Sequence, residues 1–265
     1  MKMQSRFSTL LSVVFSLTLL SCGGGSSGSN SVNSSSGGRS NTAGQAQGVY
    51  EGTTSNGLTF NAMVLPSDVF YAVYGNLVGS VLYICGMATG QGASNNGDYS
   101  ASENDFDYCG GRAAVLSGNV TATYSTGVSM NGSITENGNT ETFNATVPPS
   151  SQFNFGTAAS VSAVSGSWNG TLTDGESATV NIDSLGNMSG TSSGGCSFSG
   201  TIKPDSSNKN FFDVSVTLGS SPCATPNQSS SGIGVDYRLS DGVTTQLIAG
   251  VSSGSSFGIV FAAQR

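Results

Sequence analysis

Hydrophobic and polar residues alternate with a period of two along much of the chain, most plainly in its C-terminal half. Phe212, Val214, Val216 and Leu218 are separated by Asp213, Ser215 and Thr217. Ile233, Val235, Tyr237 and Leu239 repeat the pattern, as do Phe257, Ile259, Phe261 and Ala263. Such alternation buries one face of an extended strand and leaves the other polar, the habit of antiparallel sheets. Turn dipeptides interrupt the pattern at Asn56-Gly57, Asn137-Gly138, Asp174-Gly175, Gly186-Asn187 and Asp241-Gly242. Asn-Gly and Asp-Gly tolerate the positive φ that tight hairpins demand. The segments between turns predict eight strands in the second half, near 166–173, 176–182, 188–193, 195–202, 211–218, 232–239, 243–251 and 256–263. The first half predicts about eight more, less cleanly. From residue 23 onward Val outnumbers Leu 20 to 10, which favours strands. No helical stretch of any length is expected after residue 22.

The pattern is also duplicated. Gly48-Val49-Tyr50-Glu51-Gly52-Thr53 aligns without gaps with Gly166-Ser167-Trp168-Asn169-Gly170-Thr171, and each copy precedes a further run of strand-like sequence. Pro148-Pro149 between the copies breaks strand ladders. The predicted fold is therefore all-β, with two tandem eight-stranded up-and-down barrels at 48–147 and 164–265 joined by a linker at 148–163. Closure removes the exposed edges that invite aggregation. Gly190, Gly200 and Gly258, inside strands, suit tight barrel coiling. A two-sheet sandwich is the alternative. Longer strands, aromatic girdles and a terminal aromatic, the marks of a transmembrane barrel, are not what the sequence offers.

The N-terminus follows a different rule. Lys2 and Arg6 precede an apolar run from Phe7 to Leu20, broken only by Ser and Thr. This run falls short of the ~20 residues a membrane helix needs and fits a secretory signal. It ends in Leu19-Leu20-Ser21-Cys22, which resembles the lipobox of bacterial lipoproteins. The resemblance implies a signal peptide at 1–21, diacylglyceryl transfer to the Cys22 thiol and acylation of its new amine. At about 0.8 kcal/mol per buried CH₂, three chains anchor permanently. Gly23 stands where an Asp favours the inner membrane, which implies the outer membrane of a Gram-negative cell. The Gly/Ser-rich remainder of 22–47 is too poor in apolar residues to fold and is expected to be a flexible tether spanning ~25–30 Å.

Composition narrows the chemistry. The chain has 38 Gly, 49 Ser and no His, with a formal charge of −7 and only 8 Lys and Arg. Without imidazole there is no Ser-His-Asp triad, Cys-His pair or His-ligated metal, and no His-ligated haem. The charge excludes an electrostatic footprint for nucleic acid. No cofactor is expected. Apart from Cys22 there are four cysteines, Cys85, Cys109, Cys196 and Cys223, two in each half. In an oxidising compartment they read as disulfides, and the repeat favours pairing within each half. No Cys-x-x-Cys spacing supports a metal site.

Glu103, Asp105 and Asp107 alternate, with Asp98 nearby. Carboxylates on one face are Ca²⁺-like ligands, but no calcium-binding motif accompanies them, and a solvated hairpin tip beside Cys109 is the expectation. Nothing marks a carboxylate pair for glycoside hydrolysis.

Two further resemblances concern the fold. Gly166-Ser167-Trp168 resembles the Gly-x-Trp that opens the first strand of lipocalins and the opening strand of avidin-like barrels, which implies that Trp168 plugs a barrel end. Tyr50 holds the matching place. The repeated Gly-aromatic-x-Gly-Thr opening, with Gly195-Cys196-Ser197-Phe198-Ser199-Gly200-Thr201-Ile202 and Phe212-Asp213-Val214, resembles a family of Gram-negative outer-membrane lipoproteins with tandem barrel repeats, for which no activity is implied. More distantly the architecture resembles surface lipoproteins of the transferrin-binding protein B and factor-H-binding types, whose barrels brace a protein-binding face. These readings lead to an outer-membrane lipoprotein, held in lipid through acylated Cys22, acting as a non-enzymatic binding or envelope-interaction module. Its partner would be a protein at the cell surface or in the periplasm. A lipocalin-like carrier of a small apolar ligand and a carboxylate-dependent hydrolase are the alternatives. A cavity of ~300 Å³ or more separates a carrier from a filled barrel.

Overall fold

In the computed structural model, which describes residues 45–78, 81–109 and 114–265, the alternating segments pair into sixteen antiparallel strands. The first eight are β1 (Gly48–Thr54), β2 (Thr59–Val64), β3 (Val69–Val78), β4 (Val81–Asn95), β5 (Asp98–Asp107), β6 (Ala114–Ser125), β7 (Ser129–Glu136) and β8 (Asn139–Thr146). After a single helical turn, α1 (Val161–Val164), come β9 (Gly166–Leu172), β10 (Ser177–Ile182), β11 (Asn187–Ser192), β12 (Ser197–Pro204), β13 (Phe212–Leu218), β14 (Ser229–Arg238), β15 (Thr245–Ser253) and β16 (Phe257–Gln264). Each strand bonds to the next, and each set of eight closes on itself. The expected tandem up-and-down barrels are the architecture, and the sandwich is not. The N-terminal apolar run, Cys22 and the Gly/Ser tether lie outside the described residues.

The duplicated motif performs the same three tasks in each barrel. Gly48 and Gly166 start the first strands at φ 151° and 113°, a region closed to side chains. Tyr50 and Trp168, each 1% exposed, are then buried in the two barrel cores. Gly52 and Gly170 sit on the closing seams, where β1 meets β8 with Gly52 opposite Ala145, and β9 meets β16 with Gly170 opposite Ala263. A Cβ on Gly52 would run into the carbonyl oxygen of Asn144, and one on Gly170 into that of Ala262. The repeat therefore encodes closure as well as a core residue.

Both barrels belong to one compact unit. Between them, Val73, Met87 and Phe106 from β3, β4 and β5 pack on Ile248 and Val260 from β15 and β16. Gly250 and Gly258 are the sockets: a Cβ on Gly250 would meet Met87 Sδ, and one on Gly258 would meet the Phe106 ring. Gly258 thus serves the contact between barrels rather than strand coiling. Tyr108 adds a 2.7 Å hydrogen bond from its hydroxyl to the Gly258 carbonyl. Alongside, Phe153 of the connecting segment packs with Met63, Phe211 and Ile233.

This contact corrects the reading of β14. Its apolar positions Ile233, Val235 and Tyr237 face the other barrel and the connecting segment. The interior side of the strand carries Gly234, whose Cα lies against Val214 and Ile202 of the second core. Alternation identified a buried face correctly but not the surface against which it is buried.

Candidate functional site

In each copy of the motif the buried aromatic bonds a carbonyl just upstream of its strand. The Tyr50 hydroxyl donates to the Ala46 carbonyl at 2.8 Å, and Trp168 Nε1 donates to the Val164 carbonyl at 2.7 Å. The two bonds span the same four residues, so the repeat reproduces the aromatic together with its acceptor. In the second barrel Arg265 lies over the indole, its Cζ 4.0 Å from the Trp168 ring centroid. Its guanidinium donates to the carbonyls of Ser165 at 2.8 Å and Ala163 at 2.6 Å.

The interiors differ. Large side chains fill the second barrel, including Trp168, Ile202, Phe212, Leu247 and Phe261, and leave an apolar cavity of about 170 Å³. Inward positions of the first barrel hold Ala62, Ala72, Ala88, Ala101, Ala122 and Ala145. Small side chains facing one another across a barrel leave space, and the resulting chamber is about 460 Å³. That volume lies within the ~300–1,000 Å³ of small-molecule sites.

The chamber lining is of two chemical kinds. Near Tyr50 it is lined by Phe70 and Tyr99, and Phe60 and Phe143 pack edge to face further along the wall, with Phe60 just after the Asn56 turn. Towards the exposed turns at Asn56 and Asn137 it is lined by Glu103, Asp105, Asp107, Glu136 and Glu141. Strand pleat explains the acids from β5: Tyr99, Ala101, Glu103, Asp105 and Asp107 share one parity and point inward. Glu103 is 4% and Asp105 7% exposed, so the expected solvated hairpin tip is a buried stretch of strand instead. Asp98, exposed at the opposite end of β5, does not join them. Among the described residues no group of three or more Asp, Glu or Cys side chains is placed to hold a metal ion.

The acids modify one another. Tyr74 donates its hydroxyl to Asp105 Oδ1 at 2.7 Å. Gly118 leaves the space in which Glu103 and Glu136 converge; a Cβ there would lie 2.7 Å from both Glu103 Oε1 and Glu136 Cγ. Glu136 faces Glu103 across this space, and Glu103 Oε1 is buried without a hydrogen-bond partner. Burial, then the charges of Glu136 and Asp105, pushes the Glu103 carboxyl up to about 8. Burial also pushes Asp105 up to about 7, against the opposing Tyr74 hydrogen bond and with Glu136 and Asp107 adding repulsion. Burial and the Glu141 charge raise Glu136 as well. No Lys or Arg lines the chamber among the described residues.

These shifts set a pH dependence. Folded Glu103 and Asp105 retain protons up to about 8 and about 7, whereas unfolded carboxyls lose theirs near ~4. The folded state therefore binds more protons across this window, and stability falls as pH rises through it, levelling above pH ~8. With allowance for water at the open end, the expected loss is about 2 kcal/mol between pH 5 and 9. Urea midpoints measured across this range should fall in the wild type and fall much less in Glu103→Gln. A flat wild-type profile, or the same slope in both proteins, contradicts the buried-acid arrangement.

Sequence reasoning found three of the five acids and missed Glu136, Glu141 and Tyr74. The signal for all three was available. Glu141 shares parity with Phe143 and Ala145, and Glu136 with Ile134 and Met130. Tyr74 likewise shares parity with Phe70 and Ala72, ahead of the register shift that begins at Gly75.

The cysteines form two disulfides, Cys85–Cys109 and Cys196–Cys223. The first ties β4 to the end of β5, and Cys109 lines the chamber.

The class defined by these features is a tandem pair of eight-stranded barrels, one hollow and acidic at its open end, the other filled. No protein-family model matches the chain, and no curated protein matches it. Among solved structures it is similar to isotype 1 transferrin-binding protein B from serogroup B Neisseria meningitidis, at 12% identity and a TM-score of 0.26. The match covers 79% of this chain and 66% of that one, just under two thirds of its length. The tandem-barrel architecture rests on the strand ladders described above and not on that superposition.

Proposed function

We propose that the protein is a lipid-anchored outer-membrane binding protein whose first barrel holds a small ligand and whose second barrel is a packed brace. The observation that carries this reading is the contrast between a chamber of about 460 Å³ and a residual cavity of about 170 Å³ in barrels of the same strand number. Of the sequence-based alternatives, a carrier-like role thus gains support, with the first barrel as the carrier. The acids in the lining disfavour the purely apolar ligand of that alternative. The hydrolase alternative has no comparable observation behind it. The Cys22 anchor and the tether keep the barrels at the membrane in this reading.

Binding of the neutral dye N-phenyl-1-naphthylamine tests the chamber. Dye fluorescence should rise with the wild-type protein and not with Ala88→Phe, which fills the lumen at a position 7% exposed. No rise in the wild type, or an equal rise in both, refutes the reading. For the anchor, palmitate incorporation should be lost in Cys22→Ser, and retained label refutes lipidation there. Protease treatment of whole cells then decides which side of the outer membrane the barrels face.

A further inference from the structure

Glu103 has an anomalous position in the chamber. It is 4% exposed, lies on the lumen wall, and its Oε1 has no hydrogen-bond partner. A buried acceptor left unpaired carries a desolvation penalty that nothing in the free protein offsets. Among the described residues, the groups facing it from the surrounding strands are all acids or uncharged. Asp105 and Asp107 come from β5, Glu136 from β7, Glu141 from β8, and the Tyr74 hydroxyl from β3. From β1, β2, β4 and β6 the wall contributes Thr54, Phe60, Ala88 and Leu116, none of them charged.

Resting on the reading of the first barrel as a ligand chamber, we propose that its ligand is a small organic cation. An ammonium or guanidinium head sits against Glu103 Oε1 and Asp105, and a compact apolar body packs on the aromatic rings of the same lumen wall, Tyr50, Phe60 and Phe143 among them. Three considerations select this class. An anion would meet the acidic side chains of five residues, several of them ionised, in a low-dielectric lumen. A neutral apolar ligand would leave Oε1 unpaired and strip water from the acids around it. A bare metal ion would find no group of three or more acids arranged as ligands among the described residues, and aromatic rings on the lumen wall that cannot coordinate it. A cationic head supplies N–H donors to the unpaired oxygen and charge to its neighbours, while faces of Phe and Tyr accommodate both the body and the cation.

This chemistry predicts proton release. The free chamber holds protons on Glu103 and Asp105 near neutral pH, and an arriving cation favours their ionised forms. Affinity should therefore rise with pH between about 7 and about 8.

Isothermal titration of the full chain with cyclohexylammonium, cyclohexanol and cyclohexanecarboxylate tests the proposal. The ammonium should bind at least tenfold more tightly than the alcohol, and the carboxylate should not bind. Repeating the titration at pH 7 in buffers of different ionisation enthalpy should reveal proton release with the ammonium. Glu103→Gln should weaken the ammonium at least fivefold, suppress the proton release and leave the alcohol unchanged. Equal affinities for ammonium and alcohol, or an unaltered ammonium affinity in Glu103→Gln, overturns the proposal. If none of the three binds while N-phenyl-1-naphthylamine enters the lumen, the cation is refuted and the chamber stands. If the dye stays out as well, both readings fail.

Discussion

Replacing Trp168 with Ala should lower the stability of the second barrel by about 3–5 kcal/mol, the cost of removing a fully buried large aromatic. Trp168 is 1% exposed, with its ring in the core beside Val164, Ile182 and Phe261. Removal leaves a cavity that the closed ladder cannot collapse into, since the seam at Gly170 fixes the neighbouring strands. Two further losses follow: the Val164 carbonyl loses its indole donor, and Arg265 loses the face it stacks on. Trp168→Phe keeps most of the volume and should cost about 1–2 kcal/mol, chiefly for the lost hydrogen bond. Because Trp168 is the only tryptophan, the variants must be followed by far-ultraviolet circular dichroism during urea unfolding. A loss below about 1 kcal/mol for Trp168→Ala would show that the residue does not hold the barrel core together.

Replacing either cysteine pair by serine should cost about 3 kcal/mol, from the restored freedom of unfolded loops with separations of 24 and 27 residues. The two losses should add to within ~0.5 kcal/mol, because the bridges sit in different barrels and share no partner. Their functional consequences should differ. Cys85–Cys109 ties down the end of β5 that carries Asp105 and Asp107, so its loss should weaken ligand binding in the first barrel as well as stability. Loss of Cys196–Cys223 should affect stability alone. Urea titration with and without reductant measures the first effect, and titration of cyclohexylammonium the second. Strong non-additivity, or equal effects of both pairs on binding, contradicts this assignment.

Most of the strand order was legible before folding was considered. The segments expected near 188–193 and 256–263 are β11 (Asn187–Ser192) and β16 (Phe257–Gln264), shifted by one residue. β14 begins at Ser229 instead of near 232, since Ser229 to Ser231 have no hydrophobic pattern and are recruited by pairing with Ser215 to Thr217. In the first half, β4 runs for 15 residues with a register shift opposite Tyr74 and Gly75, which blurs the period of two. The site was legible only in part. The alternation of Glu103, Asp105 and Asp107 was visible, but charge normally marks a wet face, and the structure turns these residues inward.

By itself the sequence determined the strands, their turns, the duplication and the residues that close each barrel, because these depend on near neighbours and on backbone geometry. Period-two alternation reports that one face of a strand is buried. It carries no information about what lies opposite. Whether Ile233 and Val235 face a core or another barrel, whether Phe106 fits a glycine socket, and whether facing side chains fill a lumen or leave it hollow are decided by residues distant in sequence that meet through space. The acidic chamber belongs to that second category. It exists because alanines on several strands face one another across the first barrel while carboxylates from β5, β7 and β8 converge at its open end, and only the closed sheet brings them together.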